Sequence, residues 1–594
     1  MKTIQPLILG ALFLTAAAGA AAPGLRLADV FDDHMVLQRE QAVKVWGKAE
    51  AGRQVTVSFA GKTTSVTAES DGSWLLELPP MPANAEGREL AASCGSERAA
   101  IQDVLVGDVW LLGGQSNMQM PLWWRNDGME RVEGKRLALH TDHDWLRIMT
   151  VPQRATRDPQ DGFPKDETGP NDEVYGRWFV SQAEHPAIST FSSLGYYIGV
   201  KLHENVGVPI GLVDTSWGGT LASLWCSREQ LEQTPEAADV LAEWDAKVAE
   251  WTPERAQKQY ELDLADWEQR VEAAKAAKAK RMPKQPALGI DPQFDKYHPA
   301  GCFNAMILPI RPLAIRGVMF FQGENNVFDQ TRIFEPTFRG VIDSWRNAFG
   351  RQDLPFCMFQ IAGWGPKYTE LGDTKIVHIQ EAQKAVHLSR PDTGFVVTAD
   401  HTHSDIHPLR KKPLADRAVR WALAEVYGQK DVTWGDPVVA GTERKGGRIL
   451  LHFRTPGGEK LHLRSMPMGF VLGEDGTSAA VETSARNPEM PVAELPTGFA
   501  IAGNDRKFVP AQAEVVDGTT VAVWADSVSE PAAVRYAWSP RGFFTLYTES
   551  GLPAGPFRTD DWDYLTPILE KEKKAREEKL RKRAAEAKAR NAVK

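Results

Sequence analysis

The sequence predicts a parallel α/β core flanked by smaller β domains, and three observations carry that prediction. Short apolar strands at 104–112, 209–214, 315–321, 356–362 and 393–398 alternate with helix-like stretches such as 191–204 and 376–388. That alternation is the pattern of a parallel sheet covered by helices. Before it, residues 43–46, 55–59 and 73–78 alternate apolar with polar, and Gly52, Gly61 and Gly72 punctuate them at the spacing of a small β-sandwich. After it, residues 432–548 return to strand-and-turn character.

A chain of 594 residues exceeds one compact core. The reading divides it into a signal peptide (1–22), an N-terminal β-sandwich domain (23–103), a core in two parts (104–226 and 296–430) split by a helical insertion (227–295), a C-terminal β domain (431–562) and a charged helical tail (563–594). The insertion is rich in Ala, Glu, Lys and Gln and reads as a hairpin of two helices.

Lys2, the apolar run 7–17 and the small residues Ala18, Gly19, Ala20, Ala21 and Ala22 form a secretory leader by pattern. No other stretch approaches a membrane span, so the mature chain is expected outside the membrane, secreted or periplasmic. A net charge of −9 does not suit a nucleic-acid binder. The 19 Trp suit both cores and sugar stacking, and hint at carbohydrate without deciding it. Cys94, Cys226, Cys302 and Cys357 are too scattered for a zinc knuckle. They leave disulfides or free thiols open.

Four clusters sit at the carboxyl ends of the predicted strands, where open α/β sheets bind ligands. In Gly113-Gly114-Gln115-Ser116-Asn117-Met118, two glycines permit a tight turn and Ser116 heads a helix. Such a Ser is either an exposed nucleophile or an ordinary N-cap. Asp214-Thr215-Ser216-Trp217-Gly218-Gly219-Thr220 offers glycine N–H donors, and Gln322-Gly323-Glu324-Asn325-Asn326 offers side-chain amides. In His401-Thr402-His403-Ser404-Asp405-Ile406-His407, four ligand-type residues fall at alternate positions, which in an extended segment point one way. That permits a base His407 oriented by Asp405, a metal site of His and Asp, or a surface loop.

Taken together, Gly114-Gln115-Ser116-Asn117-Met118, Gly218-Gly219-Thr220, Gln322-Gly323-Glu324 with Asn326, and Asp405-Ile406-His407-Pro408 resemble the sialate O-acetylesterase family of SGNH hydrolases. Met35-Val36-Leu37-Gln38-Arg39, Asn304-Ala305-Met306-Ile307, Gly551-Leu552-Pro553-Ala554 and Pro556-Phe557-Arg558-Thr559-Asp560 are similar to segments outside the site. The resemblance implies a flavodoxin-like core and removal of acetyl groups from sugars with no cofactor and no metal. By position it makes Ser116 the nucleophile, His407 the base and Asp405 the orienting acid. The oxyanion hole would draw on the Ser116 N–H, Gly218 or Gly219, and an amide of Gln322, Asn325 or Asn326. The SGNH class usually spaces its acid and base as Asp-x-x-His, which would put the acid at Ser404; here Asp405 stands two before His407.

Trp123, Trp124, Arg125 and Glu324 are the candidates for the sugar site. Arg125 favours a carboxylate-bearing sialic acid. Acetylated xylan or xyloglucan is the alternative. Two further classes compete: a carbohydrate-binding protein without catalysis, against which the joint presence of Ser116, Asp405 and His407 argues, and a metallohydrolase using His401, His403 and His407.

Overall fold

The computed structural model describes residues 24–592 apart from 125–137, 164–173, 370, 403, 409, 466–469, 473–476, 481–489 and 492–495. The leader 1–22 therefore lies outside the described residues.

One strand organises the molecule. β1 (Glu97–Gly114) is 18 residues long. Its first half pairs antiparallel with Asn84–Cys94 and parallel with Val36–Gln38. Its second half lies between β4 (Ile210–Asp214) and β5 (Gly317–Phe321), parallel to both. Among the described residues, the N-terminal strands and the core strands thus share one eleven-stranded sheet. The boundary expected at 103/104 falls inside β1, not in a linker. What changes there is burial: residues 104–114 are buried without interruption, so the side-chain pattern changes while the backbone continues. Asp103, at φ 54°, marks the bend.

The core sheet runs β3-β2-β4-β1-β5-β6-β7, with β2 (His143–Thr150), β3 (Trp178–Ser181), β6 (Phe356–Phe359) and β7 (Thr393–Val396). All neighbours are parallel except β3, which is an antiparallel edge. The sequence did not reveal β2 and β3. Five strands, β4-β1-β5-β6-β7, stand in the doubly wound order whose switch point is flanked by β1 and β5. Ser116 follows β1 and Gln322 follows β5, so both emerge at that crevice.

Two helix pairs cover the sheet: α2 (Ser193–Val206) with α7 (Lys412–Trp421), and α5 (Phe334–Phe349) with α6 (Lys375–Ser389). α2 starts where Ser192 accepts from the Gly195 N–H and stops at Gly207, φ 65°. The insertion contains two consecutive helices, α3 (Ala238–Glu250) and α4 (Pro253–Ala276). No residue of α4 is buried; α3 is anchored by Arg228 to Asp245 and by Trp244 on His298.

Antiparallel sheets form the C-terminal region, which ties to the core by Arg535–Asp373, Arg558–Glu381 and Tyr547–Asp400. The tail helix α8 (Leu565–Ala592) begins against Trp538 and Tyr564. All four cysteines are buried and unpaired. Among the described residues, no helix is long and apolar enough to cross a membrane.

Candidate active site

The nucleophile turn is built from backbone. Gly114 has φ 109°, and a Cβ there would lie 2.1 Å from the Phe321 carbonyl oxygen. No other residue fits. Gln115 N–H donates to that same carbonyl at 2.8 Å. Ser116 then opens the short helix α1 (Ser116–Gln119), half-buried, with Asn117 and Met118 buried behind it.

His407 reaches this turn from the loop after β7. Its Nε2 lies 3.0 Å from Ser116 Oγ, and its Nδ1 lies 2.8 Å from Asp405 Oδ1. A carboxylate only accepts, so Nδ1 carries the proton and Nε2 accepts from the Ser116 hydroxyl. The His407 N–H also donates to Asp405 Oδ1, at 3.1 Å. Asp405 thus orients the ring from two residues away, and Ser404 is not in that position. Burial, then the nearby Lys411 charge, holds the His407 imidazole below its ordinary pKa, against the opposing pull of Asp405.

The oxyanion candidates separate by what their polar atoms already bind. The Gly218 N–H is taken by Gln119 Oε1 at 2.6 Å, which corrects its reading as a donor. Its missing side chain matters instead: a Cβ there would stand 3.3 Å from Ser116 Cβ. Gly219 follows at φ 75°, and among the described residues no hydrogen bond from its N–H is seen. Gln322 is buried, and its amide donates to Gln115 Oε1 and the Thr220 carbonyl. Asn325 donates to the Gly219 carbonyl at 2.8 Å. Asn326 accepts on Oδ1 from the Ala222 N–H and from Gln322, which fixes its oxygen end and leaves its N–H end for another acceptor.

Other expectations fare differently. Glu324 is fully buried beneath the nucleophile turn, bonded to Asn117, so it does not face a sugar. Trp124 sets its edge against the His407 ring at 5.3 Å, while Trp123 is 49% exposed. Arg125 and His403 lie outside the described residues. Residues 404–407 bend instead of running extended. His401 is buried beside Asp400 and His407 points to Ser116, which separates the two from any common ligand set.

Sequence reasoning missed Gln119, Lys411, Lys296 and Tyr297. Lys296 donates to the Gly218 carbonyl and lies 4.6 Å over the Trp217 ring. Tyr297 is exposed, with its hydroxyl 3.9 Å from where a Gly219 Cβ would be. Lys296 and Tyr297 sit on the return from the insertion, and no local pattern flags them. Lys411 hides in a basic run, Arg410-Lys411-Lys412, that looks solvated.

The similarity expected from the motif blocks holds over most of the chain. It is 27% identical over 449 residues to the human sialate O-acetylesterase, covering 70% of this chain and 74% of the relative. It is 25% identical over 580 residues to the mouse sialate O-acetylesterase, covering 92% and 96%. A carbohydrate acetylesterase from Xanthomonas citri has a crystal structure that superposes with a TM-score of 0.67 at 29% identity, covering 90% of this chain and all of that one. No family model matches the chain.

Proposed function

We propose that this protein is an exported serine esterase that removes O-acetyl groups from sugars, built on an SGNH hydrolase core of flavodoxin-like order. The hydrogen-bond chain from Ser116 through His407 to Asp405 carries the reading. His407 takes the Ser116 proton as Oγ attacks the acetyl carbonyl. The oxyanion is held by the N–H groups of Ser116 and Gly219 and by the Asn326 amide. His407 returns the proton to the departing sugar oxygen, and water clears the acetyl-serine.

The sialate O-acetylesterase reading is supported by the curated relatives and by Lys296, a half-buried cation beside the glycine turn. It gives a sugar carboxylate a partner where Arg125 was expected to act. Exposed aromatics on nearby loops, Trp123, Tyr297 and Phe328, favour the second reading, an acetylated wall polysaccharide that stacks along them. Acetate release from O-acetylated sialic acid and from acetylated xylan or xyloglucan decides between them. Lys296→Met lowers the first selectively if the first reading holds.

Hydrolysis of p-nitrophenyl acetate by wild type and Ser116→Ala, each with and without EDTA, tests the mechanism. The serine reading expects an EDTA-insensitive wild type and a dead mutant. Activity in Ser116→Ala, or loss with EDTA, sinks it. Export is tested by the mass of the mature chain, expected to begin after Ala20 or Ala22.

A further inference from the structure

Two ionisable side chains that the mechanism does not use lie buried behind the nucleophile. Lys411 and Glu324 are both inaccessible to solvent. Asn117, the residue after Ser116, joins them. Its Oδ1 accepts from Lys411 Nζ at 2.6 Å, and its Nδ2 donates to Glu324 Oε1. The same Nδ2 also donates to the Ile406 carbonyl at 3.3 Å. Ile406 directly precedes the base.

Burying such groups is costly, and apolar residues of the same volume often stabilise more. The arrangement therefore asks for a role at the site. Three segments meet in it: the nucleophile helix, the turn after β5 and the base loop. We propose that Lys411, Asn117 and Glu324 form a positioning network that fastens the His407 loop to the nucleophile turn and sets the field at the base. This rests on the esterase reading above.

The groups around His407 make the field argument specific. Asp405 on its own loop carries the opposing charge. Ser116 on α1 and Trp124 are uncharged. Lys411, just before α7, is the cation whose charge lowers the His407 pKa. Glu324 sits behind Asn117, and burial pushes its carboxyl up to about 7. Its Oε2 has no partner. A neutral amide of the same shape therefore fits that place, and the network needs the shape of Glu324 more than its charge.

The test is the pH profile of kcat/KM for p-nitrophenyl acetate in wild type, Lys411→Met, Asn117→Asp, Glu324→Ala and Glu324→Gln, with Ser116→Ala alongside. Removing the ammonium, or pairing it with a carboxylate, raises the acidic limb by about half a pH unit or more. Glu324→Ala lowers kcat roughly tenfold with KM little changed, and Glu324→Gln restores it to within about threefold. If Lys411→Met does not fold, the near-isosteric Asn117→Asp decides. An unmoved acidic limb in folded variants, or Glu324→Gln as damaged as Glu324→Ala, overturns the network. Full activity in Ser116→Ala instead overturns the esterase reading beneath it.

Discussion

The turn that carries the nucleophile and the loop that carries the base are held in opposite ways. The turn is fixed by main chain: Gly114 packs on the Phe321 carbonyl, and Gln115 and Trp217 bond backbone to backbone around it. The base loop is fixed by side chains from distant elements. Arg417 grips Asp400 with two bonds of 2.7 Å. Tyr547 of the C-terminal region donates to the same carboxylate, and Asn117 holds Ile406. Asp405 itself is 60% exposed. A backbone-built site fails through shape, whereas a loop tied by side chains fails by degrees.

Removing the reacting groups marks the scale for both regions. Ser116→Ala and His407→Ala are each expected to cost at least about 1,000-fold in kcat with folding intact, measured by ester hydrolysis beside circular dichroism. The backbone region breaks next. Gly114→Ala meets a carbonyl oxygen at a φ that side chains avoid, and is expected to destabilise by roughly 3 kcal/mol or more in chemical denaturation. Wild-type stability in that variant would show that the turn is not held as described.

The base loop yields more gently. Exposure screens Asp405, so Asp405→Asn is expected to lose about 10- to 100-fold, against roughly 10,000-fold for a buried triad acid. Tyr547→Phe removes one of the ties on Asp400 and is expected to cost about 1 kcal/mol, with a few-fold drop in kcat. The contrast between regions collapses if Tyr547→Phe proves as harmful as Gly114→Ala.

The smallest effect is in pH. Burial pushes His401 down to about 4 and His387 to about 3. The unfolded chain takes up these protons near 6.5, well before the folded one does. Stability therefore falls as pH drops from about 6.5 toward 4. Glu324 and Asp214, both pushed up to about 7 by burial, act with the opposite sign below about 7, because each folded carboxyl holds a proton that the unfolded one has lost. Between pH 7 and 4.5 the melting temperature of His401→Gln is expected to gain on that of the wild type, because the variant lacks one of the groups that lose stability there.

The same contrast explains what could be read from the sequence. The nucleophile turn announces itself because Gly113, Gly114 and Ser116 are local grammar: a strand end, a turn, a helix start. His407 and Asp405 stood among three readings of their segment, and the resemblance of Asp405-Ile406-His407-Pro408 singled them out. Roles that depend on orientation across the fold were not legible. Gly218 and Gly219 are adjacent, and only the position of Gln119 shows which N–H is occupied. Gln322, Asn325 and Asn326 are chemically alike, and their partners alone separate them. Glu324 was a candidate for the sugar site until burial placed it under Asn117. β2 and β3 show no periodicity of their own in the sequence.

The length of β1 has a consequence for how the protein comes apart. Its residues belong at once to the N-terminal strands and to the catalytic sheet, so heat has no seam along which to release one before the other. Calorimetry should show the two melting in a single cooperative peak. If the strands at Val36–Gln38 and Asn84–Cys94 were stripped away by proteolysis, β1 would keep an apolar, unpaired flank, the kind of raw edge on which chains aggregate.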